Sequence, residues 1–154
     1  MAKEKSIDMK TIFLTSMFAI IPFTIINQAF SVLNKSLSGR DYISMKNYFA
    51  KSQPDYYPVL IMFILFFTVM AIVTVYSIIH TRLPGHWVLR GALIGIVLFL
   101  VADLPYAAYT GFTTVIPLSY ARGIAIWGLA GNIVNGSLIA YIYMKISDSE
   151  TRNK

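Results

Sequence analysis

The chain has 154 residues, of which 56% are hydrophobic and only 13% charged, and its formal net charge is +6. An average soluble domain has about 25% charged residues, so this composition is typical of a membrane protein and argues against an ordinary soluble domain. The sequence contains no cysteine, which excludes disulfides, thiolate catalysis, Cys-ligated zinc and iron–sulfur clusters.

The first apolar segment spans about residues 11–33 and follows a short basic stretch. A helix that crosses a bilayer needs roughly 20 apolar residues, and this segment supplies them. It is too long for the apolar core of a signal peptide, and no clear small-residue cleavage site follows it. We therefore predict that it is retained as the first membrane helix.

A more polar segment of about residues 34–57 comes next. Within it, Tyr42, Met45 and Phe49 recur about once per helical turn, which indicates a short helix lying on the membrane surface. A plain loop accounts for the same stretch equally well, so both alternatives stay open.

Three further apolar segments, at about 58–79, 89–109 and 122–144, are each long enough to cross a bilayer. Pro58 is well placed to start the second, and a turn around Pro84 and Gly85 joins the second to the third. In lipid, each segment must satisfy its own backbone polar groups, and none of the four alternates as barrel strands do. We predict an all-α polytopic membrane protein, a single transmembrane domain of residues 1–154 built as a four-transmembrane-helix bundle.

The positions of Lys and Arg predict the orientation, because cytoplasmic loops carry more of them. With the N-terminus inside, eight lie on the inner side: Lys3, Lys5, Lys10, Arg82, Arg90, Lys145, Arg152 and Lys154. Five lie on the outer side: Lys35, Arg40, Lys46, Lys51 and Arg122. We expect both termini in the cytoplasm and the protein in a bacterial cytoplasmic membrane. The basic residues flank the apolar segments, which favours the lipid bilayer over nucleic acid as their partner.

The sequence LFLVADLPYAAY, residues 98–109, places Asp103 inside the third apolar segment. An ionised carboxylate near the middle of a membrane helix costs about 2.5–3.5 kcal/mol on insertion scales. We therefore expect Asp103 to face the bundle interior or water, or to be protonated. Pro105 has no N–H and leaves the carbonyl of Val101 without its helical partner, so we expect a kink that acts as a hinge.

Polar residues of two other helices are predicted to lie at the depth of Asp103. Four in the first helix follow the spacing of one helical face: Thr24, Asn27, Gln28 and Ser31. Arg122 begins the fourth helix on the same side of the bilayer. We predict an intramembrane polar cluster of Asn27, Gln28, Asp103 and Arg122, with an ion pair between the last two. The favoured interpretation is a structural clamp between helices, and the alternative is a protonatable or ligand-holding site.

Small residues recur along the third and fourth helices and predict close helix packing. This seam consists of Gly91, Gly95, Gly128, Gly131, Asn132, Asn135 and Gly136. Such spacing lets helix backbones approach closely, either within one bundle or between subunits. In the alternative interpretation, Asn132 and Asn135 line a polar path that continues inward from Asp103.

His80 and His86 flank the turn between the second and third helices, and we expect both on the surface. No carboxylate or third ligand lies near them in sequence, so no metal site is predicted. Phosphate-binding loops, zinc-protease motifs and nucleophile elbows do not occur in the sequence. We therefore expect no cofactor and assign no catalytic residue.

The second half of the chain carries three short patterns, GALIG at 91–95, ADLPYAAY at 102–109 and IWGLAGNIVNGSLIAY at 126–141. These patterns resemble a family of small uncharacterised bacterial four-helix membrane proteins. The family's GAL-x-G, D-L-x-x-x-A and W-G elements map onto Gly91, Gly95, Asp103, Ala108, Trp127 and Gly128. The family has an acidic residue just before the W-G pair, where this chain reads ARGIAIWG. The resemblance implies the four-helix architecture and no particular activity.

Three hypotheses for function follow from these features. The favoured one is a non-enzymatic membrane protein that acts through helix packing, as a homo-oligomer or as a small subunit of a larger membrane complex. The alternative is a small proton-coupled carrier or channel in which Asp103 takes up and releases a proton. The third is a membrane enzyme on a lipidic substrate, which ranks last because a single carboxylate lacks a catalytic partner.

Overall fold

The computed structural model describes residues 8–49, 56–113 and 117–152. Helices are the only regular elements in these ranges: α1 (Met9–Phe49), α2 (Tyr57–Ile79), α3 (Trp87–Leu98), a π-helical segment (Phe99–Asp103), α4 (Leu104–Thr113) and α5 (Leu118–Arg152). Four stretches are long and apolar enough to cross a membrane: Met9–Ser36, Val59–Ile79, Trp87–Phe112 and Leu118–Ser149. The predicted all-α class and the four apolar helices are confirmed, and they indicate an integral membrane protein.

Local signals explain where several helices begin. Pro58 lies in the first turn of α2, where its missing N–H leaves no helical bond unmade. Gly85, in the turn before α3, has a φ of 85°, a conformation that favours glycine. Asp8 caps α1, because its carboxylate accepts hydrogen bonds from the backbone N–H of Lys10 at 3.1 Å and from the hydroxyl of Thr11 at 2.7 Å.

Helix α1 continues without interruption from the first membrane stretch through residue 49. Its 41 residues measure about 60 Å at roughly 1.5 Å per residue, about twice the thickness of the hydrocarbon core of a bilayer. The segment with Tyr42, Met45 and Phe49 is therefore helical, and the plain-loop alternative is wrong. This segment continues α1 and does not form a separate helix, and the side chains of these three residues lie outside the described part.

The central helix of the bundle is α5. It packs against α1 on one side and against α3 and α4 on the other, whereas α2 packs mainly on α1. Among the described residues, α1 and α4 do not pack against each other to a comparable extent. This leaves a groove between α1 and α4, with α5 along its floor. We call the side of the bundle where α1 begins and α5 ends the terminal side, and the opposite side the distal side.

An apolar core occupies the middle and the terminal half of the bundle. Its buried members are Ile12, Ala19, Phe23, Val69, Ile72, Val73, Tyr76, Ile94, Ile139, Ala140 and Tyr143. Large apolar side chains also cover the outside, as with Phe63, which is 59% exposed, and Val101, which is 73% exposed. Lipid tails are as apolar as these side chains, so such outer faces are expected of helices in a bilayer.

Glycines bring the backbones of α3 and α5 into contact. A Cβ added to Gly91 would lie 2.6 Å from the Cα of Ser137, and one added to Gly95 would lie 2.9 Å from the Cα of Ile133. A Cβ on Gly136 would lie 3.0 Å from the backbone N of Gly95. These three glycines of the predicted seam thus join two helices of the same chain, as small residues do at membrane helix interfaces.

Candidate functional site

A polar cleft of about 260 Å³ lies in the distal half of the bundle, between α1 and α4, with α5 as its floor. From α1 it is lined by Asn27, Phe30, Ser31 and Asn34, and from the π-helical segment and α4 by Asp103 and Tyr106. From α5 it is lined by Tyr120, Ile124, Trp127, Gly128, Gly131 and Asn132. The cleft therefore forms where the groove between α1 and α4 meets the polar face of the central helix.

Asp103 lies half-buried in the wall of this cleft. The Nδ2 atom of Asn132 donates hydrogen bonds to Asp103 Oδ2 at 2.5 Å and to the carbonyl oxygen of Gly128 at 2.9 Å. A Cβ on Gly128 would lie 2.8 Å from the same carboxylate oxygen. The glycine therefore makes room for the carboxylate, and the asparagine fixes one of its two oxygens.

Asp103 is the last residue of a π-helical segment. Here the N–H of Leu104 donates to the carbonyl of Phe99, five residues earlier in place of the usual four. Pro105 follows directly and has no N–H to offer. The wider turn changes the rotation of the residues after it relative to α3. Such π-helical insertions within α-helices occur frequently at functional sites.

Asparagine side chains connect α1 to α5 beside the cleft. Asn135 Nδ2 donates to Asn27 Oδ1 at 2.9 Å. Asn135 is buried, does not line the cleft, and leaves its own Oδ1 without a hydrogen-bond partner in the described part. Asn34 is also buried, and its side chain packs against Gly123, where a Cβ would overlap it. Asn34 lies one residue beyond the predicted end of the first helix, so the sequence does not indicate it as a member of the site.

Aromatic rings form much of the cleft wall. The rings of Phe30 and Trp127 have centroids 5.7 Å apart with planes at 34°. A Cβ on Gly131 would lie 3.2 Å from the Phe30 ring, so this glycine gives the ring its place. Tyr106 and Tyr120 complete the aromatic lining. In the sequence these rings resemble ordinary apolar or interfacial residues, and no spacing marks them as neighbours.

Gln28 and Arg122, two members of the predicted cluster, lie elsewhere. Gln28 is exposed and does not line the cleft, because one step along a helix turns it about 100° away from Asn27. Arg122 is also exposed, and it precedes Gly128 by about 9 Å along the helix axis, on another face. The predicted ion pair between Asp103 and Arg122 is therefore not formed. No Lys, Arg or His pairs with Asp103 in the part of the chain that the structure describes.

A second polar cluster, on the terminal side, contains a buried histidine. His80 is 8% exposed, its ring stacks on Tyr76 at 5.3 Å, and it lies 5.3 Å from the ring of Tyr143. Its Nδ1 lies 3.0 Å from the carbonyl oxygen of Ser77. The prediction of a surface location is wrong for His80, because tyrosines of α2 and α5 enclose its ring. His86 is exposed, as predicted.

The lining of the cleft offers hydrogen-bonding and aromatic groups. Over residues 8–49, 56–113 and 117–152, no group of three or more His, Cys, Asp or Glu residues could hold a metal ion. The cleft offers one carboxylate, several amides and aromatic faces. These groups can hold a proton or a hydrogen-bonding solute.

Comparisons of the chain with protein-family models, with curated proteins and with solved structures find no match. The fold and the cleft nevertheless define a class: an all-helical protein with four helices of membrane-spanning length and a carboxylate-bearing polar cleft within their span. The resemblance of residues 91–141 to the small bacterial four-helix family stays an expectation.

Proposed function

We propose that the chain is a non-enzymatic integral membrane protein that binds a small solute at Asp103 and exchanges a proton there, as a carrier or channel. The observation that carries this proposal is the position of Asp103. Its carboxyl group lies in the wall of a cleft within the membrane-spanning length of the helices, without a basic partner among the described residues.

The energetics support a functional carboxylate at this depth. An unpaired charge near the middle of a membrane helix costs about 2.5–3.5 kcal/mol, and intramembrane carboxylates typically belong to ion or proton pathways. Asn132 contributes one hydrogen bond, and side-chain hydrogen bonds between membrane helices average only about 0.6 kcal/mol. A structural clamp therefore offsets little of the cost, whereas a bound proton or cation neutralises the charge.

The same proposal includes an orientation. The excess of Lys and Arg on the terminal side supports cytoplasmic termini in a bacterial cytoplasmic membrane. Asp103 lies about 24 Å along the third stretch from its start at Trp87. The cleft then lies in the outer half of the bilayer, where water can reach it from outside.

The hypothesis that the protein acts through helix packing, as a homo-oligomer or as a small subunit of a larger membrane complex, stays a prediction with weaker support. This hypothesis rests mainly on the small-residue seam. However, Gly91, Gly95 and Gly136 of that seam already form the contact between α3 and α5 of one chain. Gly131 is covered by Phe30 of α1. These residues are therefore not free to contact a second copy or another subunit.

The test uses the purified chain in liposomes loaded with a pH-sensitive dye, under a potassium diffusion potential. We expect proton entry with the wild-type chain and only background entry with Asp103→Asn. Asp148→Asn is the matched control, because Asp148 is an exposed carboxylate at the terminal end of α5. It should behave like the wild type.

Infrared spectra of the same samples separate the channel from the carrier. A protonated-carboxyl band that disappears in Asp103→Asn, without basal proton entry, indicates a carrier that moves protons only with its solute. The proposal is wrong if basal proton entry is lacking and no such band is present.

A further inference from the structure

We propose that the cleft selects an organic cation, with an ammonium group placed between the Asp103 carboxylate and the aromatic rings. The inference rests on the proposed function in one respect, namely that the cleft binds a solute. It goes further by naming the chemical class of that solute.

The charge of the cleft lining favours a cation over an anion. The described lining of the cleft contains one carboxylate and no Lys, Arg or His. Asn132 donates to Oδ2 of Asp103, and Oδ1 accepts no hydrogen bond from a described group. One carboxylate oxygen is thus free to accept a hydrogen bond or a cation, and an anion would meet an uncompensated negative charge.

The aromatic rings that line the cleft also favour a cation. Phe30, Trp127, Tyr106 and Tyr120 all border the cleft, and the first two lie side by side at 5.7 Å between centroids. A cation within about 6 Å of an aromatic face is attracted by the ring's quadrupole, and more strongly when water is excluded. Carboxylate and rings together match a cation that also carries apolar carbon.

Size and ligand number argue against a metal ion. The cleft of about 260 Å³ is just below the range of about 300–1,000 Å³ typical of drug-sized ligands, and much larger than a bare ion. Calcium takes six to eight oxygen ligands, and the number of charged ligands tunes its affinity, whereas the described lining of the cleft provides a single carboxylate. A small alkylammonium or quaternary ammonium group suits this space better.

The experiment measures binding of radiolabelled choline to the full chain in nanodiscs made of phosphatidylglycerol. We expect saturable binding that tetramethylammonium displaces and that 3,3-dimethylbutanol, a neutral compound of the same shape, does not. Sodium should displace choline poorly. The inference is wrong if choline does not bind, if the neutral compound competes as well as choline does, or if sodium competes better than tetramethylammonium.

Variants of Asp103 and of Trp127 test the carboxylate and the aromatic ring separately. Asp103→Asn should weaken binding at least tenfold, because it removes the negative charge that the ammonium group contacts, and Asp148→Asn should leave binding unchanged. Trp127→Leu should weaken binding while Trp127→Tyr retains most of it, because only the latter keeps an aromatic face. Equal binding by the two Trp127 variants would contradict the role of the ring, even if Asp103→Asn failed to fold.

The ammonium group has two sources, a free solute or the headgroup of an amine lipid, and lipid composition distinguishes them. If phosphatidylethanolamine in the nanodiscs lowers choline binding, the headgroup is the natural source, and if it does not, the solute is free. Choline binding without any proton movement in liposomes would retain this inference and contradict the carrier. Proton movement without choline binding would do the reverse.

Discussion

At the scale of single residues, two titratable side chains in the bundle are accommodated differently. Asp103 retains access to a cleft and contacts one amide. His80 is enclosed between the rings of Tyr76 and Tyr143 and is almost fully buried. A group with access to a cleft can exchange its proton or bind a solute, whereas an enclosed ring mainly fills space and contributes packing.

The enclosure of His80 predicts that removing its ring costs more stability than removing the exposed ring of His86. His80→Ala deletes two aromatic contacts and leaves a cavity, so we expect the free energy of unfolding to fall by about 2–4 kcal/mol. His86→Ala, at an exposed position in the same turn, should change it by less than about 0.5 kcal/mol. Denaturant titration in detergent measures both values, and equal losses would contradict the packing of His80.

At the scale of elements, the contact between α3 and α5 decides how the cleft forms. The glycine seam holds these helices at backbone distance on the terminal side, and the π-helical segment redirects the chain just beyond it. Asp103 is the last residue of that segment. The position of the carboxylate therefore depends on the packing of the helix that precedes it.

Gly95→Ala tests this contact, because its new Cβ would collide with the backbone at Asn132 and Ile133. We expect a loss of about 1–3 kcal/mol in the free energy of unfolding, as overpacking typically produces. Val97→Ile adds one carbon to the same helix on an exposed face, where Val97 is 57% exposed, and should be nearly neutral. A neutral Gly95→Ala would show that α3 and α5 are farther apart than described.

At the scale of the whole molecule, four helices of membrane-spanning length define two sides of the bundle. Four crossings of the membrane would place the start of α1 and the end of α5 on one side, together with the turn between α2 and α3. The end of α1 and the start of α2 then lie on the other side. The polar cleft is in the distal half, and the enclosed His80 cluster is in the terminal half.

Cysteine labelling tests this topology, because the chain has no cysteine of its own. Tyr56→Cys precedes α2 at an exposed position, and His86→Cys precedes α3 at another. In intact cells, a membrane-impermeant maleimide should label the first variant, and the second only after the membrane is opened. Labelling of both in intact cells would contradict four crossings.

The sequence by itself determined the class of fold and the location of the apolar helices. Length and apolarity are properties of a contiguous segment, so the four stretches, the start of α2 next to Pro58 and the turn at Gly85 could be predicted without knowledge of the neighbouring helices. It also placed Asp103 within a membrane-spanning stretch, because the cost of burying a charge draws attention to that residue.

Only the tertiary structure decided which side chains meet Asp103. Membership of the cleft depends on the rotation and axial level of three helices, and an error of one residue turns a side chain by about 100°. That step separates Asn27, which lines the cleft, from Gln28, which does not. The relative rotation of the helices also keeps Arg122 apart from Asp103, and no local sequence pattern indicates that rotation.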